Sequence, residues 1–280
     1  MKDIVVTADS TCDLSQEIID RYKVNIIPLY VNMGETFYKD GVDVHPSDLF
    51  TFVAKTGQLP KTSAVSVADY YNVFSKFEQE GKAVIHINIS SGFSSCYQNA
   101  CIAASELTDV YVVDSANLST GTGHLVIEAA QLAQQGMDAK NIAENLRKLA
   151  PKIESSFVID KLDFLKMGGR CSSLAAFGAS LLNIKPCIEV KDGFMHVGKK
   201  YRGTIEKSIS DYVIDRLKNR KDIDKRRIFI THTCTNEIAL KVKELVRQCM
   251  DFDEIFITTA GCTISSHCGP GTLGVLFIRK

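Results

Sequence analysis

The chain has 280 residues and carries as many basic as acidic side chains, 33 Lys and Arg against 33 Asp and Glu. This neutral balance gives no electrostatic footprint for nucleic acid or an anionic membrane, and we expect neither partner. No apolar run approaches the ~18 residues that a membrane span needs, and the N-terminus lacks a signal-peptide profile. With 9 cysteines in no spaced framework, the sequence predicts a cytoplasmic protein in a reducing compartment without stable membrane insertion.

The first half of the chain alternates short apolar runs with helical patterns. Strands are predicted at 4–7, 26–31, 83–89 and 110–114. Helices are predicted at 15–22, 45–55, 68–80, 93–107, 121–135 and 139–149. Strands separated by helices are typical of parallel βαβ units. We expect an N-terminal α/β domain over residues 1–150.

The second half begins near Pro151 with a different mixture of elements. Strands are predicted at 157–159, 187–190, 194–197, 227–232, 254–259 and 275–278, and helices at 161–167, 174–182, 207–218 and 237–250. The turn Lys-Asp-Gly at 191–193 is a strong hairpin signal. We therefore expect a C-terminal α/β domain over 151–280. The predicted fold class is α/β, with two domains, parallel-rich sheets and a ligand pocket at the domain interface.

Three stretches rich in Ser, Thr and Gly stand outside the predicted helices and strands for most of their length. They cover residues 61–66, 88–95 and 258–274, and the last holds a single histidine, His267. Gly and Pro at this density fix sharp backbone turns. If the three stretches converge, they form a pocket that binds an anion through hydrogen bonds rather than through fixed positive charge.

Several catalytic signatures are incomplete. Residues 92–96 resemble a nucleophile elbow without its final Gly, and residues 121–124 lack the third Gly of a dinucleotide fingerprint. The spacing of Cys and His matches no zinc pattern, so we expect no metal and no cofactor. One enzymatic alternative stays open, a stand-alone serine hydrolase that uses Ser94 and His267 with Asp9 or Asp114.

Five motifs together carry a resemblance to a known family. They are Asp-Ser-Thr-Cys-Asp-Leu at 9–14, Lys-Thr-Ser at 61–63, Ile-Ser-Ser-Gly-Phe-Ser at 89–94, Leu-Lys-Met-Gly-Gly-Arg at 165–170 and His-x-Gly-Pro-Gly-x-Leu-Gly at 267–274. In this order they span the chain and resemble the DegV family. Two loops depart from the family pattern, Thr-Ser-Ala-Val-Ser at 62–66 and Ser-Ser-Cys-Tyr at 94–97. Their hydroxyls remain, so we expect head-group binding with a different loop shape and chain-length preference.

The resemblance implies a bacterial two-domain protein that holds a long-chain fatty acid between its domains. Some members are the acyl-carrying subunit of a two-component fatty acid kinase and present the carboxylate for phosphorylation. It follows that this chain is expected to be a lipid-binding protein rather than an enzyme. Its expected partners are a fatty acid and a kinase.

The resemblance also assigns roles to particular side chains. The residues expected to bind the fatty acid are Thr62, Ser94, Ser95, His267 and Arg202. Backbone N–H groups at the start of the helix from Phe93 are expected to add donors, and Arg170 is expected to dock the kinase. Each has an ordinary alternative: Ser94 as a helix N-cap, His267 satisfied by loop carbonyls, Arg170 as a solvated cation. The small residues of 174–182 either leave room for the acyl tail or pack tightly on a sheet.

Overall fold

The structure is a computed structural model that describes residues 2–172, 184–233 and 235–280. Its strands are β1 (Ile4–Asp9), β2 (Asn25–Ile27), β3 (Tyr30–Met33), β4 (Thr36–Lys39), β5 (Lys61–Ser63), β6 (Ala83–Asn88), β7 (Val110–Asp114), β8 (Ile153–Val158), β9 (Ile184–Lys191), β10 (Phe194–Arg202), β11 (Ile223–His232), β12 (Glu254–Thr259) and β13 (Leu273–Arg279). Its α-helices are α1 (Gln16–Tyr22), α2 (Pro46–Thr56), α3 (Val67–Gln79), α4 (Cys96–Ser105), α5 (Ser119–Gln134), α6 (Ala139–Leu149), α7 (Leu162–Gly168), α8 (Ile205–Leu217), α9 (Asn236–Cys249) and α10 (Cys262–Cys268). The helix predicted at 174–182 lies outside the described residues.

The first sheet has four parallel strands in the order β2-β1-β6-β7. Every pairing in it, β1 with β2, β1 with β6 and β6 with β7, is parallel. Each residue of β6 is buried, as expected for a parallel strand covered on both faces. The parallel arrangement predicted for the first half of the chain is confirmed.

A small antiparallel sheet, β4-β3-β5, was not predicted. The single strand expected at 26–31 is divided at Pro28, which has no N–H to donate to a sheet ladder. The residues before Pro28 therefore stay in the parallel sheet as β2, while those after it start β3. Residues 61–63, expected in a loop, instead form β5 and pair with β3.

A third sheet has six strands in the order β10-β9-β8-β13-β11-β12. Among its described strands only β11 and β12 pair in parallel, so this sheet departs from the parallel-rich expectation. One reason is the β9–β10 turn, where Asp192 and Gly193 both adopt positive φ, 51° and 79°. This left-handed pair belongs to a tight hairpin turn, which makes its flanking strands antiparallel.

The buried helix α5 packs between the parallel sheet and the six-stranded sheet. Leu125 belongs to the same core as Phe229 and Leu276 of the six-stranded sheet. Next to it, His124 Nε2 lies 3.0 Å from the Leu276 carbonyl and its Nδ1 lies 3.2 Å from Arg227 Nε. Burial, aided by the charge of Arg227, lowers the pKa of His124 to about 3. A neutral imidazole that donates at Nε2 and accepts at Nδ1 therefore joins the two halves of the chain.

The first two sheets lie within residues 4–114, and the six-stranded sheet lies within 153–279. The division into domains at residue 150 stays a prediction. Within the described ranges, no helix is both long and apolar enough to cross a membrane.

Candidate ligand-binding site

The three hydroxyl-rich stretches meet at one cavity of about 110 Å³. Thr62 from the first, Ser94 and Ser95 from the second and His267 from the third all line it. Thr62 Oγ1 and His267 Nε2 lie 2.9 Å apart although 205 positions separate them in the sequence. The remaining walls are largely apolar and include Leu29.

Thr62 reaches the cavity from the edge strand β5. It lies directly opposite Val31 in the antiparallel pairing of β5 with β3, and opposite residues point to the same face of a sheet. Val31 is fully buried, whereas Thr62 is half-buried. A strand holds the hydroxyl in a more fixed position than the predicted loop would.

The stretch around His267 is not a continuous loop, because residues 262–268 form α10. Gly269, with φ 72°, follows its last residue. Thr263 precedes His267 by four positions, so both side chains lie on one face of the helix, and both line the cavity. Sequence reasoning missed this helix, since a short helix of small polar residues shows no amphipathic pattern.

Two buried carboxylates hold the start of α10. Asp40 accepts hydrogen bonds from the backbone N–H of Cys262 and Thr263 at 2.8 and 3.0 Å. Asp13 accepts from the N–H of Gly261 at 2.9 Å. These contacts satisfy amides that a helix start leaves without partners. Sequence analysis gave neither Asp13 nor Asp40 a role, because no local pattern indicates that these side chains meet residues 261–263.

Burial and the nearby Arg170 charge lower the pKa of His267 to about 4, so the imidazole is neutral at pH 7. Its Nδ1 is buried and has no hydrogen-bond partner among the described residues. Gly168, the last residue of α7, packs against this atom: a Cβ at that position would lie 2.2 Å from Nδ1. The imidazole is therefore held between Thr62 on one side and a glycine backbone on the other.

The second stretch differs from its prediction because α4 begins at Cys96 rather than at Phe93. The N–H groups of Phe93 and Ser94 donate to the Ser90 carbonyl at 2.9 and 3.3 Å. They are not free for an anion, which corrects the expectation for backbone donors at Phe93. Ser94 Oγ accepts from the Cys96 N–H at 3.3 Å, so it caps the first turn, while Ser95 is exposed at the N-cap position.

The structure separates the two arginines that the sequence singled out. Arg170 lines the cavity and is fixed by two carbonyls, donating from Nε to Phe93 at 3.2 Å and from Nη1 to Gly168 at 2.8 Å. A fixed positive charge is therefore present, contrary to the expectation of binding by hydrogen bonds alone. Arg202 is not brought to this cavity. It lies seven residues along β10 from the cavity residue Met195, about 20 Å at the usual rise of a strand, and lines another groove.

No Ser-His-Asp triad forms among the described residues. His267 directs Nε2 to Thr62, and its Nδ1 meets no carboxylate. Asp9 is engaged by the Tyr70 hydroxyl at 2.6 Å, and Asp114 accepts from backbone N–H groups. Within the described ranges, no group of three or more His, Cys, Asp or Glu could hold a metal ion.

The fold and the site together define an α/β protein with a largely apolar cavity whose polar groups come from distant segments. The chain belongs to the DegV family: the family's model, described as one of uncharacterised proteins, matches residues 3–280. A DegV domain-containing protein of Clostridium acetobutylicum is 34% identical, with both chains covered in full. Another, from Caldanaerobacter subterraneus, is 31% identical with the same coverage.

Solved structures of the same family are similar over the whole chain. A DegV family protein from Thermus thermophilus, described by its fatty acid binding, is 30% identical with a TM-score of 0.89 and full coverage of both chains. DegV of Bacillus subtilis, described as a fatty acid binding protein, is 27% identical with a TM-score of 0.86 and full coverage of both. A stearic acid-binding protein from Eubacterium ventriosum is 28% identical with a TM-score of 0.86, covering 100% of this chain and 99% of that one.

Proposed function

We propose that this protein binds a long-chain fatty acid with its carboxylate in the cavity between Thr62 and Ser94. The observation that carries the proposal is the Thr62–His267 contact at the cavity wall. It occurs in a chain that is similar along its full length to DegV proteins described as fatty acid binding. The geometry does not favour the hydrolase alternative, because His267 faces Thr62 and lacks an acidic partner.

The protonation state of His267 makes Thr62 a donor. A neutral imidazole carries one proton, and Nδ1 has no acceptor within reach among the described residues. A buried N–H without an acceptor costs more than an unused lone pair, so the proton belongs on Nε2. It then donates to Thr62 Oγ1, and the Thr62 hydroxyl proton is left to point at a carboxylate oxygen.

Further donors surround the position proposed for the carboxylate. Ser95 presents a hydroxyl, and Arg170 adds a charge from the cavity wall. The Ser94 hydroxyl donates to Cys96 Sγ at 3.2 Å, a weak acceptor that a carboxylate oxygen would replace. Hydrogen bonds to a charged group contribute about 1.5–3 kcal/mol each. Because Arg170 already donates to two carbonyls, it forms a weaker clamp than a free guanidinium would. A carboxylate that must later accept a phosphoryl group reacts more readily when it is held loosely.

The acyl tail supplies the affinity in this proposal. About 14 buried methylenes at ~0.8 kcal/mol each give roughly 11 kcal/mol before the costs of ordering and association. The cavity enclosed by the described residues, about 110 Å³, is smaller than the ~150 Å³ that accommodates benzene. In this proposal the cavity holds the head group and the first carbons of the fatty acid. Its apolar walls there are Ile89, Phe93, Leu118 and Ile264.

A lipid extraction tests the binding proposal. Purified protein is denatured and extracted, and mass spectrometry should find close to one fatty acid per chain. The hydrolase alternative predicts the opposite pattern, namely no retained lipid, ester turnover and labelling of Ser94 by a serine-reactive phosphonate. An empty protein that also fails to take up added palmitate or oleate would refute the binding proposal.

We further propose that the bound carboxylate is presented to a partner kinase at the surface around Arg170. Arg170 lies at the cavity, and the neighbouring Met167 of α7 is 71% exposed. An apolar side chain beside a fixed cation suits a protein partner that handles phosphate. In this proposal the chain carries the substrate and does not catalyse the transfer.

A reconstituted reaction tests this second step. With a fatty acid kinase catalytic subunit and ATP, hydroxylamine trapping measures acyl phosphate. With palmitate at saturating concentration, Arg170→Ala should lower turnover about tenfold, and the matched variant Arg202→Ala should behave as the parent. Equal turnover by the parent and Arg170→Ala would remove Arg170 from the docking surface.

A further inference from the structure

A second groove lies apart from the fatty-acid cavity, at the place where β8 and β9 diverge. The two strands pair only from Ser156, opposite Glu189, to Val158, opposite Cys187. Strand β8 nevertheless begins at Ile153, where it pairs with β13 alone. The resulting wedge contains a groove of about 840 Å³.

Basic side chains from four elements and one connecting segment line this groove. They are Arg147 of α6, Lys191 of β9, Arg216 of α8, Arg220 in the segment that follows α8, and Arg279 of β13. Four carboxylates line it as well, those of Asp114, Glu154, Glu189 and Asp192. The side chains that line the groove therefore carry one more positive than negative charge.

The acidic residues Glu154 and Glu189 are already neutralised by Arg216 of α8 and by Arg220. Arg220 contacts Glu154 at 3.0 Å, and Arg216 pairs with both Glu189 and Glu154. These pairs hold the guanidinium groups of Arg216 and Arg220 in place. Because Glu154 and Glu189 are already paired, they do not occupy the other basic side chains of the groove.

Arg147 and Arg279 form no ion pair within the described residues. Each donates to a single backbone carbonyl, Arg147 to Val112 at 2.9 Å and Arg279 to Pro151 at 2.8 Å. A guanidinium has five N–H donors in a planar fork that matches the oxygens of phosphate or carboxylate. The guanidinium groups of Arg147 and Arg279 are exposed, and both line the same groove. Most of their N–H donors therefore have no partner among the described residues.

The strand edge adds few further donors. In an antiparallel strand, alternate residues direct both N–H and C=O to the same side. Between Ile153 and Ser155, β8 does not pair with β9. The Ile153 N–H is nevertheless engaged, because it donates to the Ala150 carbonyl. Unpaired backbone groups of an edge are ready to bind another molecule.

We propose that this groove binds a small oxyanion with several acidic oxygens, of the kind found in phosphate-bearing metabolites, and that Arg147 and Arg279 hold it. Arg216 and Arg220, each fixed by its carboxylate partners, provide a charge-balanced wall behind the ligand. The β8 edge beyond Ile153 adds at most one backbone N–H for an oxygen that the arginines do not reach.

Isothermal titration of the full chain with pyrophosphate tests the proposal, against sodium chloride at equal ionic strength. Arg147→Gln and Arg279→Gln should each weaken pyrophosphate binding about fivefold to tenfold, and the double variant should abolish it. Arg247→Gln is the matched control, because Arg247 is an exposed arginine that pairs with Glu244 elsewhere. A parallel titration with citrate separates the sources of the oxygens: preference for pyrophosphate identifies a phosphate-bearing ligand, and equal affinity identifies a general oxyanion site.

Two results would overturn the proposal. One is the absence of any pyrophosphate binding beyond the chloride control. The other is unchanged binding by the double variant, once circular dichroism shows it to be folded. Lipid occupancy is measured in the same samples, so that loss of anion binding is distinguished from failure of the fatty-acid site.

Discussion

The side chains of Thr62 and His267, 2.9 Å apart across 205 positions, connect an edge strand in the first half of the chain with α10 near its end. Asp13 and Asp40, also from the first half, hold the other end of α10. The cavity wall is therefore assembled from segments that meet only in the folded protein. Changes at either end of α10 should affect ligand binding even where the altered residue does not touch the ligand.

Thr62→Val tests the head-group donor with little change of shape. We expect the affinity for palmitate to fall about tenfold or more, because a hydrogen bond to a charged group is lost. Thr62→Ser restores the hydroxyl and should restore most of the affinity. Titration of delipidated protein measures both. Parent-like binding by the Val variant would show that Thr62 is not a ligand.

Gly168→Ala should displace the imidazole of His267. Gly168 ends a helix, where Ala is normally favoured over Gly, so a local stability gain is expected from the backbone alone. The added Cβ would nevertheless lie 2.2 Å from Nδ1, and His267 must move away from Thr62. We expect lower lipid occupancy with the helix content unchanged. Lys166→Ala on the same helix is the control, and equal occupancy in the two variants would contradict the prediction.

Stability should depend on His267 as the pH falls. Its pKa is about 4 in the folded chain against an ordinary value of 6.5, so the unfolded chain takes up a proton first. The contribution is complete above pH 6.5 and is lost as the pH falls towards 4. Between pH 7 and pH 5 the loss is of the order of 2 kcal/mol for this group.

His267→Gln removes the titrating group and serves as the comparison. Urea unfolding of delipidated parent and variant at pH 7, 6 and 5 should show the parent losing stability faster. Parallel pH dependence of the two proteins would mean that His267 is solvated and titrates normally.

Asp40→Ala should destabilise the protein strongly. It removes the acceptor for two backbone N–H groups of α10 and for the Ser10 hydroxyl, and the two backbone donors stay buried. We expect a loss of about 3 kcal/mol in the free energy of unfolding. Asp138→Ala, which removes the exposed cap of α6, should cost about 1 kcal/mol. Similar losses for the two variants in urea unfolding would argue against Asp40 as an anchor.

Local patterns in the sequence determined most helices and strands. Strands β7 and β12 and helix α6 coincide with their predicted bounds, because their apolar periods and caps lie within the segment itself. The order of the five motifs was likewise sufficient to indicate the family. Pairing partners were harder to predict: residues 61–63 became a strand only because β3 lies beside them.

The sequence by itself determined which residues carry hydroxyl groups, where the chain turns and which family it belongs to. The tertiary structure alone decided that Thr62 meets His267, that Arg170 joins the cavity wall and that Arg202 does not. It also made α10 a helix, since the carboxylates that cap its start come from more than 200 positions earlier. Periodicity and capping act over a few residues, whereas burial, long-range hydrogen bonds and the neutral state of His267 depend on contacts that no local pattern contains.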